Sequence, residues 1–268
     1  MRYGRSSSQN FEFRVSISKG SCQYSFWSSL TSMASPPPLK RLRKDQSEHH
    51  LTPVRSSPLV VFAHGAGAPS SSEWMIRWKE MLGKALHAVE VVTFDYPYMS
   101  VGKRRPPPKA DKLVEYHSDV VKKAIEEHPG QPLILAGKSM GSRVSCMVAN
   151  SGDFDVAAVV CLGYPLKSPG GGVRDEILLE LSVPVMFVQG SKDALCPLEK
   201  LSGVRKKMKS VNELHVIDGG DHSFKLGKKF LQSHGLGQDE TEENAVTAVA
   251  EFVARKAALG FNVIDKFC

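Results

Sequence analysis

Residues 132–145 read PLILAGKSMGSRVS, and the segment Gly137-Lys138-Ser139-Met140-Gly141 could serve either of two chemistries. Gly-Lys-Ser is how a phosphate-binding loop ends, whereas G-x-S-x-G is the turn that presents a nucleophilic serine. A phosphate loop needs a glycine five residues before the Gly-Lys pair, so that a wide run of N–H groups can wrap the anion. That position is Pro132, which has no N–H, and Leu133-Ile134-Leu135-Ala136 between them read as a buried strand. Beyond the turn, Val144, Met147 and Val148 recur at helical spacing without Pro or Gly. Strand, sharp turn and helix is the context in which a serine hydroxyl is presented, so the phosphate reading is set aside.

A serine hydroxyl is a weak nucleophile until a base takes its proton, and a lone G-x-S-x-G is common by chance. Partners are therefore required. His222, in the turn Gly219-Gly220-Asp221-His222, is the best candidate for the base. Asp193, in Gly190-Ser191-Lys192-Asp193, could hold the imidazole in one tautomer and stabilise its charged form. Asp175 and Asp221 are its rivals, the first too far past its strand, the second adjacent to the histidine so that the side chains diverge. The N–H of Met140 and that of Ala66 or Gly67, in His64-Gly65-Ala66-Gly67-Ala68, would face a developing oxyanion. His64 is expected to shape that loop, His117 and His215 to be packing or surface residues, and Lys138 to be an exposed flank of the turn.

These turns must be positioned by something. Strands are expected at Leu59–Ala63, Val89–Phe94, Leu133–Ala136, Val156–Leu162, Val183–Val188 and Glu213–Ile217. Helices are expected at Glu73–His87, Asp111–Glu127, Ser139–Ala149, Leu198–Met208 and Thr241–Ala258, the last led by an Asp239-x-x-Glu242 pattern resembling a capping box. Apolar strands alternating with amphipathic helices imply an α/β three-layer sandwich, a mostly parallel central sheet of about six strands with helices on both faces. In such a sheet ligands collect beyond the carboxyl ends of the strands, and every candidate residue above lies just past one.

The chain divides by composition into residues 1–56 and 57–268. Residues 1–57 hold nine Lys or Arg against three acids, and the remainder 26 against 25, so the net +7 gives the folded part no nucleic-acid-binding character. Eleven serines, three arginines and a single acid in residues 1–35 suit either an organelle transit peptide or a plain disordered extension. Met33 opens a shorter product whose Lys40, Arg41, Arg43 and Lys44 resemble a nuclear-import cluster. The expected location is accordingly cytoplasmic or nuclear, or chloroplast or mitochondrion if residues 1–35 are a transit peptide. Five scattered cysteines without C-x-x-C spacing point to reduced thiols and against a zinc site. No apolar run approaches the roughly 18 residues of a membrane span.

The segments VVFAHGAGAP, VVTFDYPYM, GKRRPPPK, LILAGKSMGSRVS, PVMFVQGSKDALCP and VIDGGDHSF, in that order, resemble the α/β-hydrolase superfamily over nearly all of residues 58–268. The sequence looks most like its dienelactone-hydrolase-like members. Among them it is similar to the branch of testis-expressed protein thirty and the third subunit of the nonspecific-lethal histone acetyltransferase complex. The resemblance implies Ser139 as nucleophile, Asp193 as acid and His222 as base, in the Ser, Asp, His chain order of that superfamily. It implies no substrate. Two departures from larger hydrolases stand out. The antiparallel strands that usually open the sheet are absent or reduced to one near Leu51–Val54, and the stretch between Gly163 and Val183 is too short for a large lid.

The expectation is a soluble serine hydrolase cleaving an ester, thioester or related acyl bond of a small molecule through an acyl-enzyme. It needs no cofactor or metal, its folded domain binds no nucleic acid, and it binds no membrane. The alternative is a non-catalytic interaction module with a protein partner, for example in a nuclear or chromatin complex. The loop carrying Arg104 and Arg105, beyond the second strand, could receive an anionic substrate group or be plain solvated surface.

Overall fold

The computed structural model describes residues 57–100, 106–168, 170–235 and 237–264. The 1–56 extension, the strand expected near Leu51–Val54, and Arg104 and Arg105 lie outside the described residues. The elements run β1 (Leu59–Ala63), α1 (Glu73–Leu86), β2 (Glu90–Phe94), α2 (Pro97–Ser100), a 3₁₀ turn (Ala110–Leu113), α3 (Val114–Glu127), β3 (Leu133–Lys138) and α4 (Met140–Ser151). They continue with β4 (Val156–Leu162), α5 (Glu176–Glu180), β5 (Val185–Gly190), α6 (Leu198–Arg205), β6 (Asn212–Ile217), α7 (Lys228–His234) and α8 (Gln238–Ile264).

The six strands form one sheet in the order β2-β1-β3-β4-β5-β6, every pair parallel. The chain winds outward from β1 to β2, then crosses to β3 on the other side and continues outward. The topological switch point therefore falls between β1 and β3, where Leu59 to Ala63 pair with Leu133 to Gly137. A crevice opens there beyond the strand ends, and it is where a ligand of such a sheet belongs.

Strand alternation divides the core in two. Leu59, Val61 and Ala63 of β1 pack with Leu133 and Leu135 of β3 against Val121 of α3 and Val144 and Val148 of α4. Val60 and Phe62, with Ile134 and Ala136, meet Trp78 and Leu82 of α1 and Val249 and Phe252 of α8. Both faces of the sheet are covered, which is why its central strands read as unbroken apolar runs.

Several boundaries differ from the sequence reading, each for a local reason. β5 starts at Val185 rather than Val183, because its pairing with β4 begins where Val159 N–H donates to Pro184 O at 2.9 Å. The stretch from Asp111 enters α3 through a 3₁₀ turn, and three short helices, α2, α5 and α7, carry too few turns to show a period. The expected capping box of the last helix does not form. The helix begins at Gln238, and Glu242, 1% exposed, accepts a two-bond fork from Arg77 of α1 at 2.7 and 2.9 Å. A carboxylate shut in by two helices is better satisfied by a guanidinium than by one backbone N–H.

His117 belongs to the core, as expected of a packing residue. It is fully buried on α3; the Tyr96 hydroxyl and its Nδ1 share a hydrogen bond at 3.2 Å, and its Nε2 has no partner. Desolvation pushes its pKa down to about 3. A buried neutral imidazole must charge on unfolding in acid, so the unfolded chain binds more protons between pH 6.5 and 3, and stability falls as pH falls through that window. We expect His117→Phe to flatten the acid limb of stability against pH, by roughly 1.4 kcal/mol for each unit below 6.5. Urea unfolding at pH 7 and pH 4.5 checks this; parallel losses in both proteins would show that His117 is not the group responsible.

Candidate active site

Ser139 stands where β3 turns into α4, with φ 52° and ψ −113°, a conformation that L side chains rarely adopt. Its N–H donates to Leu162 O at 2.9 Å, while its own carbonyl receives the Ser142 N–H at 3.1 Å and the Ser142 hydroxyl at 2.6 Å. The flanking glycines are there for space. A Cβ on Gly137 would stand 2.3 Å from the Gly141 carbonyl carbon and the Ser142 nitrogen. One on Gly141 would meet the carbonyl oxygens of Ala63 and His64 at 2.5 and 2.6 Å. Backbone lies against backbone at the switch point, and only there can α4 start so close to the end of β1.

Residues from three strand ends meet at this serine. His222 Nε2 is 2.8 Å from Ser139 Oγ, and His222 Nδ1 is 2.7 Å from Asp193 Oδ2. Asp193 is fully shut from solvent at its side chain, while His222 keeps 28% exposure on the ligand side. The carboxylate also receives the Leu195 N–H on Oδ1 at 2.8 Å and the Gln189 amide on Oδ2 at 2.5 Å. Burial pushes the Asp193 pKa up, but the hydrogen bonds from His222, Leu195 and Gln189 outweigh it and hold the group below its ordinary value. An imidazole with a hydroxyl on one nitrogen and a fixed carboxylate on the other can accept a proton from oxygen and carry the charge. The rivals lie elsewhere: Asp221 Oδ1 accepts the N–H groups of Ser223 and Lys225 at 2.7 and 2.9 Å, and Asp175 precedes α5.

Lys138 corrects the sequence reading. It is 8% exposed rather than a solvated flank, and its ammonium donates to His222 O. The charge sits over the rings of Trp74 and Phe224, with centroids at 5.3 and 4.9 Å. Trp74 Nε1 donates to Ser223 O at 3.1 Å, so two successive carbonyls of the histidine loop are held, one from the turn of Ser139 and one from α1. Desolvation lowers the Lys138 pKa to about 8 against the pull of Asp193 and Asp221. Nothing in the residue pattern distinguished this lysine from a surface one, because its two aromatic neighbours are distant in sequence.

The loop after β1 is also pinned. His64, buried, donates from Nδ1 to Gly65 O at 2.6 Å and accepts the Tyr96 N–H on Nε2 at 3.1 Å; burial lowers its pKa. The Tyr98 hydroxyl points at the carbonyls of Gly65 and Ala66, both at 3.4 Å. Gly65 thereby lies against the serine turn, its Cβ position 3.5 Å from Ser139 Cβ. Ala66 and Met140 line one cleft with Ser139, whereas Gly67 is exposed and outside that lining. Met140 opens α4, so its N–H is among those without an acceptor inside the helix. The cleft measures about 1080 Å³, with Pro107, Pro108 and Leu195 among its walls. Gln189, Tyr98 and the cleft residues Arg143 and Arg174 were missed by sequence reasoning; Gln189 and Tyr98 sit at or just past a strand end, the one signal that could have found them, whereas Arg143 lies on α4 and Arg174 well past β4.

Among the described residues no group of three or more His, Cys, Asp or Glu is placed to hold a metal ion, and no helix is long and apolar enough to cross a membrane. Cys146, Cys161 and Cys196 are buried and not in disulfides.

A parallel sheet wound in this order, with a serine on a strained turn after β3 and a histidine in the last strand-end loop, defines the α/β-hydrolase fold. Residues 56–254 match the model of the family described as alpha/beta hydrolase domain, and the chain belongs to that family. Solved structures agree on the fold. An alpha-beta serine hydrolase homologue from Coxiella burnetii is 21% identical at a TM-score of 0.52, with 76% of this chain and 86% of that one covered. An esterase from Pyrococcus furiosus is 19% identical at 0.58, covering 75% and 82%. Est1E from Butyrivibrio proteoclasticus, solved with ferulic acid bound, is 18% identical at 0.56, covering 76% and 91%.

The backbone at Ser139 offers a test that needs no substrate. A non-glycine residue held at such angles costs about 1–3 kcal/mol, and glycine gives back part of that relief through its larger unfolded-state entropy. We expect Ser139→Gly to be about 1 kcal/mol more stable than Ser139→Ala, roughly 2–4 °C in melting temperature. A glycine variant melting at or below the alanine variant would show that the turn holds no strain.

Proposed function

We propose that the protein is a serine hydrolase that cleaves an ester, thioester or related acyl bond through an acyl-enzyme. The observation that carries this is one imidazole bridging Ser139 Oγ at 2.8 Å and Asp193 Oδ2 at 2.7 Å. Ser139 Oγ attacks the acyl carbon as its proton passes to His222 Nε2. The carbonyl π pair moves to oxygen, where the N–H groups of Met140 and of Ala66 or Gly67 receive it; a donor so placed contributes about 3–4 kcal/mol in the transition state. As the tetrahedral centre collapses, the bond to the leaving group breaks and that group takes the proton from His222. A water then gives a proton to His222 and attacks the acyl carbon, releasing the acid and restoring Ser139.

Asp193 fixes the tautomer throughout, and the N–H of Leu195 and the amide of Gln189 keep it ionised. Lys138 and Trp74 hold the histidine loop from behind, so the imidazole need not reorganise as charge develops. The substrate is a small molecule. Among the described residues between β4 and β5 the chain builds α5 and one antiparallel bridge, Lys167 with Val173, too little to enclose a long lipid chain. Within the superfamily the six ordered segments favour the dienelactone-hydrolase-like members. The reading assigns the chemistry to residues 57–268 and none to residues 1–56.

Labelling with a fluorophosphonate probe tests it. Wild type should label and Ser139→Ala should not, while His222→Ala should lose labelling about as fully, because such residues act as a unit. Labelling that persists in Ser139→Ala would overturn the assignment, and none in the wild type would favour a non-catalytic interaction module. Removing residues 1–50 should leave both labelling and melting temperature unchanged; a loss of labelling would give the extension a part in the site.

A further inference from the structure

The cleft beside Ser139 is lined by four basic side chains, Lys109, Arg143, Lys167 and Arg174, against one acid, Asp111. The folded part as a whole is almost neutral, so this is a local excess rather than a share of a basic surface. Nor is it compensated. Among the described residues no carboxylate oxygen lies within ion-pair distance of any of the four, although Arg77, Lys79, Lys123 and Arg255 elsewhere each have at least one.

Arg143 is the central member. It lies one helical turn beyond the nucleophile position, its N–H donating to Ser139 O at 3.4 Å. Its Nε is buried without a hydrogen-bond partner, although the guanidinium also reaches the neutral Tyr164 phenol. Leaving a charged donor unsatisfied is costly, and a fold keeps such a group where something else completes it. Arg174 stands close enough to Arg143 that the two repel, and this repulsion adds to burial in lowering the Arg174 pKa. Two guanidiniums facing the same space without a carboxylate between them make an anion site.

The framework is built. The Tyr164 hydroxyl donates to Arg174 O at 3.0 Å, and Arg174 Nη1 donates to Pro165 O at 3.2 Å. The Arg174 N–H donates to Leu166 O at 2.8 Å, Lys167 pairs with Val173, and the Lys167 N–H reaches Leu195 O at 2.8 Å. The segment between β4 and β5 thus folds into a small hairpin that carries Lys167 and Arg174 over the cleft. Larger relatives of this fold would have room for a lid there.

We propose that the acyl substrate carries an anionic group, a carboxylate or a phosphate, which Arg143 and Arg174 bind while its acyl carbon faces Ser139. This rests on the hydrolase reading above and names its substrate class. It places anion recognition on residues that no single loop contains, drawn from α4 and from the β4–α5 segment. The substrate is the charged half-ester or thioester of a diacid, or a phosphorylated acyl compound, rather than a plain fatty ester.

The test compares mono-p-nitrophenyl adipate with p-nitrophenyl hexanoate at low salt, reading the ratio of kcat/KM. We expect the wild type to favour the anionic ester by about tenfold or more. Arg143→Gln and Arg174→Gln should each cut that ratio about tenfold, chiefly through KM, with Arg→Lys at either site keeping part of it. Salt at 0.5 M should shrink the wild-type ratio. In parallel, calorimetry on Ser139→Ala should show adipate or inorganic phosphate binding, weakened when Arg174→Gln is added; the better of the two anions identifies the group. A wild-type ratio near one, or a ratio that neither glutamine variant changes, overturns the proposal. Fluorophosphonate labelling with no anionic preference would sink this inference alone. No labelling and no turnover would sink the hydrolase reading, and calorimetry would then decide the anion site by itself, with absence of binding overturning it.

Discussion

The site depends on one steric constraint, the approach of α4 to the end of β1 with no side chain between them. Gly141 faces the carbonyls of Ala63 and His64 at distances where a Cβ could not fit, and Gly137 of β3 faces the first turn of α4. Once the backbones are that close, the chain can leave β3 and enter α4 only through a sharp turn, and Ser139 takes the positive φ that this requires. The consequence is geometric. The hydroxyl is thrust out of the sheet at the switch point, the helix N-terminus lies beneath it, and the β1 loop is brought within van der Waals distance. The cost of the turn is spread over a core in which β1 and β3 are buried along their whole length, which is why it can be borne.

Charge is handled in two opposite ways around the histidine. Asp193 is surrounded by donors, so burial strengthens its role as a fixed negative partner instead of neutralising it. Lys138 is buried with a single carbonyl acceptor and two aromatic faces, and its pKa falls to about 8. The sign of that shift means that the lysine costs stability at neutral pH, a cost relieved as pH rises from about 8 towards 10.5 while the unfolded chain still binds the proton. A group kept at such a cost is serving position. It joins the turn before Ser139 to the backbone of His222, so the two sides of the site are tied to each other.

How much of this could be read from the sequence follows from which interactions are local. The six strands were legible because a parallel sheet covered on both faces writes itself as apolar runs such as LILA and VAAVVCL. The serine, aspartate and histidine were legible because each follows a strand, and strand ends share one rim. Lys138 was misread because burial is decided by Trp74 and Phe224, residues 64 and 86 positions away, and no window around GKSMG contains them. Glu242 looked like a cap because its spacing from Asp239 is right; its actual partner, Arg77, comes from the first helix of the domain. Arg143 and Arg174 were not singled out because they are far apart in the chain, and clustering in sequence is visible where clustering in space is not.

The short connection between β4 and β5 ties fold economy to selectivity. A chain that spends some twenty residues there adds few apolar walls to a cleft lined by Pro107, Pro108 and Leu195, and the cleft stays partly open. In an open cleft, recognition by burial is weak, because little area is removed from solvent. Recognition by charge is also weakened at long range, since physiological salt screens beyond roughly 8 Å. What survives is contact-range pairing by groups held in place before the ligand arrives. Arg174, tied to Pro165 O and backed by the Tyr164 hydroxyl, and Arg143, fixed on the first turns of α4, meet that condition. A hydrolase with so short a connection there can still discriminate among small acyl compounds if its selectivity lies in the charge at the far end of the acyl group, and the hairpin formed by that connection is where the charge would be read.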